Sequence, residues 1–237
     1  MNLRIRKAKD RGTAEHGWLH ARFTFSFANY YDPEWSGFHS LIVINNDIIE
    51  PGGGFPTHPH QDAEIFTYVI SGDLEHRDSM GNGSIIKPGE LQYMSAGSGV
   101  THSEFNPSQE NQTELYQIWM RPNQSGGEPF YAEKKLSHSA SNGEMRLLFS
   151  GSGKGGSSPI KQNAEFWLGQ GESQRKIFLE PVNCLPHVWM QVVSGSVTME
   201  NHFLGKADGL AMENLKQSIE LTCQKDTTFF LFRLTDS

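Results

Sequence analysis

The 237-residue chain is long enough for one large β domain or two smaller ones, and neither needs disulfides or a structural metal to hold a core. A formal net charge of −7 opposes a phosphate backbone and argues against direct nucleic-acid binding. Only two cysteines occur, Cys184 and Cys223, far apart, and no apolar run reaches the roughly eighteen residues of a membrane span, so a soluble cytoplasmic protein without a disulfide framework is expected.

At the N-terminus Arg4, Arg6, Lys7, Lys9 and Arg11 cluster without the interleaved aromatic residues that stacking on bases requires, and the segment reads as a solvated terminal strand. His16, His20 and His39 follow and are expected to be structural. Next come SLIVINNDIIEPGGG, EIFTYVISGDLEHRDSMGNG and LQYMSAGSG, short runs rich in Val, Ile, Phe and Tyr separated by Gly, Pro, Asn and Asp. This is the rhythm of an all-β protein. His76, alternating with Glu75 after a glycine turn, is expected to be exposed.

Two motifs stand out from this pattern. In GGFPTHPHQDAE, His58 and His60 are two residues apart, so an extended strand points both imidazoles to one face. In GVTHSEFN, His102 and Glu104 have the same offset. Either pair alone is more often an exposed polar pair on a half-buried strand. Brought side by side they offer three imidazoles and one carboxylate, a set that suits Fe(II), Mn(II), Co(II), Ni(II), Cu(II) or Zn(II) and leaves positions open for a substrate.

The glycine-rich NQSGGEP at 123–129 marks a domain boundary. The one candidate helix, PFYAEKKLSHSASNGE, runs into Ser, Asn and Gly, so helix should be scarce. SGSGKGGSSP at 150–159 places Gly155 after Lys154 where a phosphate-binding loop requires Ser or Thr, and is read as a surface loop. TYVISGDLEH around Gly72 resembles MQVVSGSVTM around Gly195, and PGELQYM resembles ADGLAMEN, the mark of a duplicated β unit. His138 and His202 sit in polar surroundings and are given no role.

Gly52, His58, His60 and Glu64 follow the order G-x5-H-x-H-x3-E of the first cupin motif. Gly99, His102 and Asn106 follow the G-x2-H-x3-N of the second, with Gly97 where a proline is usual. With the H-x-E pair and the stretches HGWLHARFTFSFANYYDPEWSGFHSLIVIN and ELYQIWMRP, the chain resembles the pirin branch of the cupin superfamily over essentially its whole length. The resemblance implies an all-β bicupin, two antiparallel jelly-roll β-barrels packed together with little helix. Residues 1–130 would form the metal-binding barrel and 131–237 a degenerate one without metal.

It also implies His58, His60, His102 and Glu104 as the ligands of one divalent transition metal, with Fe(II) favoured. Glu64 is the rival carboxylate, since in many cupins that position ligates; alternatively it orients a ligand histidine. In the second half Pro181 and Asn183 fall opposite the two histidines of the first motif and residues 222–224 opposite the second, while His187 falls opposite Glu64 and is read as structural. Phe25, Phe27, Met94, Gln117 and Trp119 are candidates to line the pocket, with a core role expected.

Similarity to pirin-like quercetin 2,3-dioxygenases implies opening of a flavonol-like ring with O2, Glu104 taking the substrate proton. Two alternatives stand beside it: a metal-bearing redox sensor acting on a protein partner, and an enzyme for another enol or catechol. A monomer is expected.

Overall fold

The computed structural model describes residues 2–136 and 144–236; His138 lies outside the described residues. The expected all-β architecture is what the chain adopts. Among the described residues the helical pieces are two short 3-10 turns, Ala8–Asp10 and Lys154–Gly156, and no helix is long and apolar enough to cross a membrane. The second turn lies in the loop at 150–159, which opens no helix of the phosphate-binding kind.

The chain divides into two compact units, each holding one seven-stranded and one four-stranded sheet. In the first, residues 12–37 and 41–138, the larger sheet runs in the order Phe130–Lys135, Glu90–Ser95, Glu64–Ser71, Thr113–Met120, Leu41–Ile49, Leu19–Phe23, Gly12–Glu15. The smaller is ordered Gly54–His60, Val100–Phe105, Leu74–Asp78, Gly83–Ile86. All pairs in this unit are antiparallel. Leu19, Ala21, Phe23, Val69 and Leu115 from the large sheet and Leu74 and Ile86 from the small one form a shared core. The strands pair as two separate sheets, so the jelly roll is a sandwich and not a closed ring of hydrogen bonds.

The second unit comprises residues 1–11, 38–40 and 139–237 and repeats this plan. Its larger sheet is ordered Asn2–Arg6, Gly209–Glu213, His187–Ser194, Thr227–Leu234, Ala164–Gly171, Glu144–Ser150, Ser158–Pro159, and its smaller sheet Lys176–Leu179, Ile219–Cys223, Ser196–Met199, His202–Gly205. The final pair of the large sheet is parallel. The duplication seen in the sequence thus extends to strand order. Gly72 and Gly195 hold the same left-handed turn, φ 73° and 74°. At both a Cβ would strike a backbone carbonyl, of Gln112 or Asp226, and the threonine after it, Thr113 or Thr227, so glycine is required twice for one reason.

The basic N-terminus departs from expectation. Asn2–Arg6 is not a solvated strand: it pairs along Gly209–Glu213, Arg6 and Arg11 are buried, and Lys7 Nζ reaches Asp208 Oδ2 at 2.9 Å. Both cysteines are free, Cys184 exposed and Cys223 buried.

Candidate metal centre

Strand Val100–Phe105 lies at the centre of the site. Its burial alternates, so that Val100, His102 and Glu104 face inward while Thr101 points to solvent. Antiparallel pairing sets His102 directly opposite His58 on one side and Asp78 on the other, with Glu104 opposite Phe55 and His76. Between Phe55 and His58 the strand Gly54–His60 carries one residue more than its partner, a bulge of the kind common beside active sites. The bulge brings Pro56 O to 2.8 Å from His58 Nδ1. With Nδ1–H donating there, Nε2 keeps its lone pair for a ligand.

The ligand atoms of His58, His60 and His102 all lie within 4.8 Å of one another. His58 Nε2 and His102 Nε2 are 3.0 Å apart, a spacing that bonds of about 2.0–2.1 Å to one ion can span. Burial, then the neighbouring His102 and His58, pulls His60 down to about 4. Burial, then His58 and His76, pulls His102 down to about 3. Both rings are therefore neutral near pH 7, the form that ligates. Glu104 lines the same cavity of about 190 Å³, together with Phe27, Asn45, Asp47, Phe55, Gln117 and Trp119. The residues present fit a divalent transition metal.

The floor of the site is a polar row on the large sheet. Gln92, Thr67, Gln117 and Asn45 stand opposite one another on four adjacent strands whose other residues are mostly apolar. Gln117 Nε2 donates to Glu104 Oε2 at 2.7 Å, and the Thr67 hydroxyl lies 3.2 Å from Glu104 Oε1. Gln92 Nε2 donates to His76 Nδ1 at 2.8 Å, leaving His76 Nε2–H to face Asp78 Oδ2 at 3.3 Å. Asn45 Oδ1 is buried and without a partner.

Two expectations change here. His76 is fully buried, not exposed, and its ligand atom approaches those of His102 and Glu104. The signal was present in LEHRD, where Leu74, His76 and Asp78 share the inward face and Glu75 and Arg77 the outward one. Phe27, Gln117 and Trp119 line the cavity, whereas Phe25 and Met94 are core. Asn45 and Asp47 were missed, although two polar residues at alternate positions of an otherwise apolar strand, LIVINNDII, mark a polar inner face.

Glu64 is 1 % exposed and accepts from the hydroxyls of Tyr93 and Ser95, the latter at 2.7 Å. Its carboxylate is outside both clusters of potential ligand atoms in this unit. His16, His20 and His39 do not line the metal cavity. His20 lies between Glu15 and Glu50, and His39 sits in the second unit. There His39 Nε2 and His187 Nδ1 converge on Glu213 Oε2 at 3.0 and 2.6 Å, and His187 Nε2 meets Asp236 Oδ1 at 2.8 Å. His187 is thus held between two carboxylates.

Comparison with known proteins identifies the family. The family model described as pirin matches residues 4–120, and that of the quercetinase C-terminal cupin domain matches 147–234. A protein of Escherichia coli K12 named quercetin 2,3-dioxygenase is 44 % identical over 234 residues, 97 % of each chain. The chain belongs to the pirin family. Among solved pirins, YhhW from Escherichia coli superposes with a TM-score of 0.94 at 42 % identity, covering 100 % of this chain and 99 % of that one. Bacterial pirin YhhW in complex with nickel(II) gives 0.93 at 41 % identity, covering 100 % of both. The four cavity-lining residues His58, His60, His102 and Glu104 fall inside the segment matched as pirin.

Proposed function

We propose that this pirin-family protein is a metal-dependent dioxygenase that opens a flavonol ring, quercetin or a close relative, with O2. The observation that carries the reading is the convergence of three imidazoles and the Glu104 carboxylate on one cavity with aromatic walls. The naming of a relative 44 % identical over nearly its whole length as quercetin 2,3-dioxygenase supports the substrate. In this reading His58, His60, His102 and Glu104 would hold the metal. Iron(II) is the metal we propose; three imidazoles and a carboxylate also suit nickel(II), with which bacterial pirin YhhW from Escherichia coli forms a complex. When bound, the metal acts as a Lewis acid toward the substrate's oxyanion.

The chain's own residues supply the rest. Glu104 accepts the proton of the substrate hydroxyl, and the donors Gln117 and Thr67 hold its carboxylate at the position needed for this. Phe27, Phe55 and Trp119 wall the cavity and exclude water from the reacting ring. Trp119 meets the His60 ring edge-on at 4.9 Å and fixes its orientation.

Elemental analysis of wild type and His58→Ala, with quercetin loss and oxygen uptake followed on the same samples, tests the proposal. Metal near one per chain with turnover, both lost in the variant, is expected. Metal without turnover of quercetin sinks the dioxygenase reading and favours a metal-bearing sensor or another enol as substrate.

A further inference from the structure

The metal cavity, about 190 Å³, is smaller than the cavities of about 300–1,000 Å³ that enclose most organic ligands. A second cavity of about 830 Å³ adjoins it, and Phe27, Asn45, Asp47 and Phe55 line both. The walls of this groove carry five aromatic rings, Trp18, Phe23, Phe27, Tyr30 and Phe55. Two lines of rings lead from it to the metal histidines. Trp18 meets Phe55 edge-on at 5.0 Å, and Phe55 lies 6.3 Å from His58. On the other side Phe27 meets Trp119 edge-on at 5.6 Å, and Trp119 meets His60.

At the junction stands Asn45, 4 % exposed, with its Oδ1 buried and unpartnered. Such an acceptor carries a desolvation cost that a donor from a bound molecule relieves. The three other members of its cross-strand row, Gln92, Thr67 and Gln117, hold His76 or Glu104. Gln92 Oε1 is also buried and unpartnered, but Gln92 lines neither cavity; Asn45 lines both, so its acceptor is the one that something entering the cavity can meet.

We infer that the groove is the second half of the substrate site. It takes the rings of a multi-ring phenol that lie beyond the metal cavity, and Asn45 Oδ1 accepts a hydrogen bond from a hydroxyl at the junction. The inference rests on the dioxygenase reading and sharpens it: the site selects elongated polyphenols over single-ring catechols. Asn45 is a positioning residue; it binds the substrate away from the ligand set.

The test uses nickel(II)-loaded protein with quercetin as the long probe and catechol as the short one. Two variants are compared with wild type. Ala14→Trp fills the groove from strand Gly12–Glu15 at a position that does not line the metal cavity. Asn45→Ala removes the acceptor. Metal content near one per chain reports that each variant is folded and loaded.

Ala14→Trp is expected to raise the Kd for quercetin about tenfold or more, and Asn45→Ala about fivefold, while catechol stays within about twofold of wild type. In turnover Asn45→Ala raises KM for quercetin by a larger factor than it lowers kcat. Quercetin binding and turnover unchanged in both variants, or quercetin and catechol weakened alike, overturns the groove alone. Failure of loaded wild type to bind quercetin overturns the groove and the dioxygenase reading together.

Discussion

The Gln117 side-chain amide donates to Glu104 Oε2 across the gap between the two sheets of the N-terminal unit, at 2.7 Å. Both groups are more than nine-tenths buried, so the bond is made in a medium that strengthens it. With the Thr67 hydroxyl it holds a carboxylate that would otherwise be costly to bury.

Removing these donors tests how far they support the site. Gln117→Leu with Thr67→Val is expected to keep the fold, since apolar isosteres replace both groups. It should weaken metal binding about 10–100-fold, as loss of support around metal ligands commonly does. Competition with a metallochromic chelator measures it; unchanged affinity would show that Glu104 needs no such support.

Glu104→Gln separates holding the metal from accepting a proton. The amide keeps the shape but cannot take the substrate's proton, so kcat for quercetin should fall about 100-fold or more even in protein loaded to one metal per chain. Full turnover with the metal retained would show that Glu104 is not the base.

Tyr93→Phe addresses the rival carboxylate. The phenol of Tyr93, its pKa raised by burial and then by the charge of Glu64, donates to Glu64. The variant leaves Glu64 short of one donor, and a loss of about 1–3 kcal/mol in urea unfolding is expected with metal content unchanged. Loss of metal instead would bring Glu64 back as a ligand.

His20 supplies a pH dependence. Its hydrogen bond to Glu15, then that to Glu50, raises its pKa above the ordinary value in the folded state. A group with a raised folded pKa stabilises the fold fully below its unfolded pKa, and that contribution disappears as pH rises through the folded value. His20→Gln should therefore destabilise the protein at pH 6 and make little difference at pH 9. Thermal melts at the two pH values decide it, and an equal shift at both would exclude the ion pairs as the cause.

Much of the site was legible in local spacing. A strand repeats every two residues, so H-x-H and H-x-E each had to present both side chains to one face. The same rule applied to LEHRD and LIVINNDII would have turned His76, Asn45 and Asp47 inward. The cue was weaker there because one histidine, or two amides and an acid among apolar residues, forms no recognisable ligand set by itself. The polar row could not be read at all: Gln92, Thr67, Gln117 and Asn45 lie on four strands and become neighbours only through register.

From the sequence alone followed the all-β class, the duplicated unit and the residues able to bind a metal, because turn chemistry and strand periodicity act over a few neighbouring residues. Only the tertiary structure set His58 against His102, 44 residues away, turned Glu64 to Tyr93 and Ser95, placed Asn2–Arg6 in the sheet of the second unit, and joined the metal cavity to an aromatic groove. Each of these depends on which distant strands pair and in what register, a choice made by burial of whole faces and carried by no short stretch of chain.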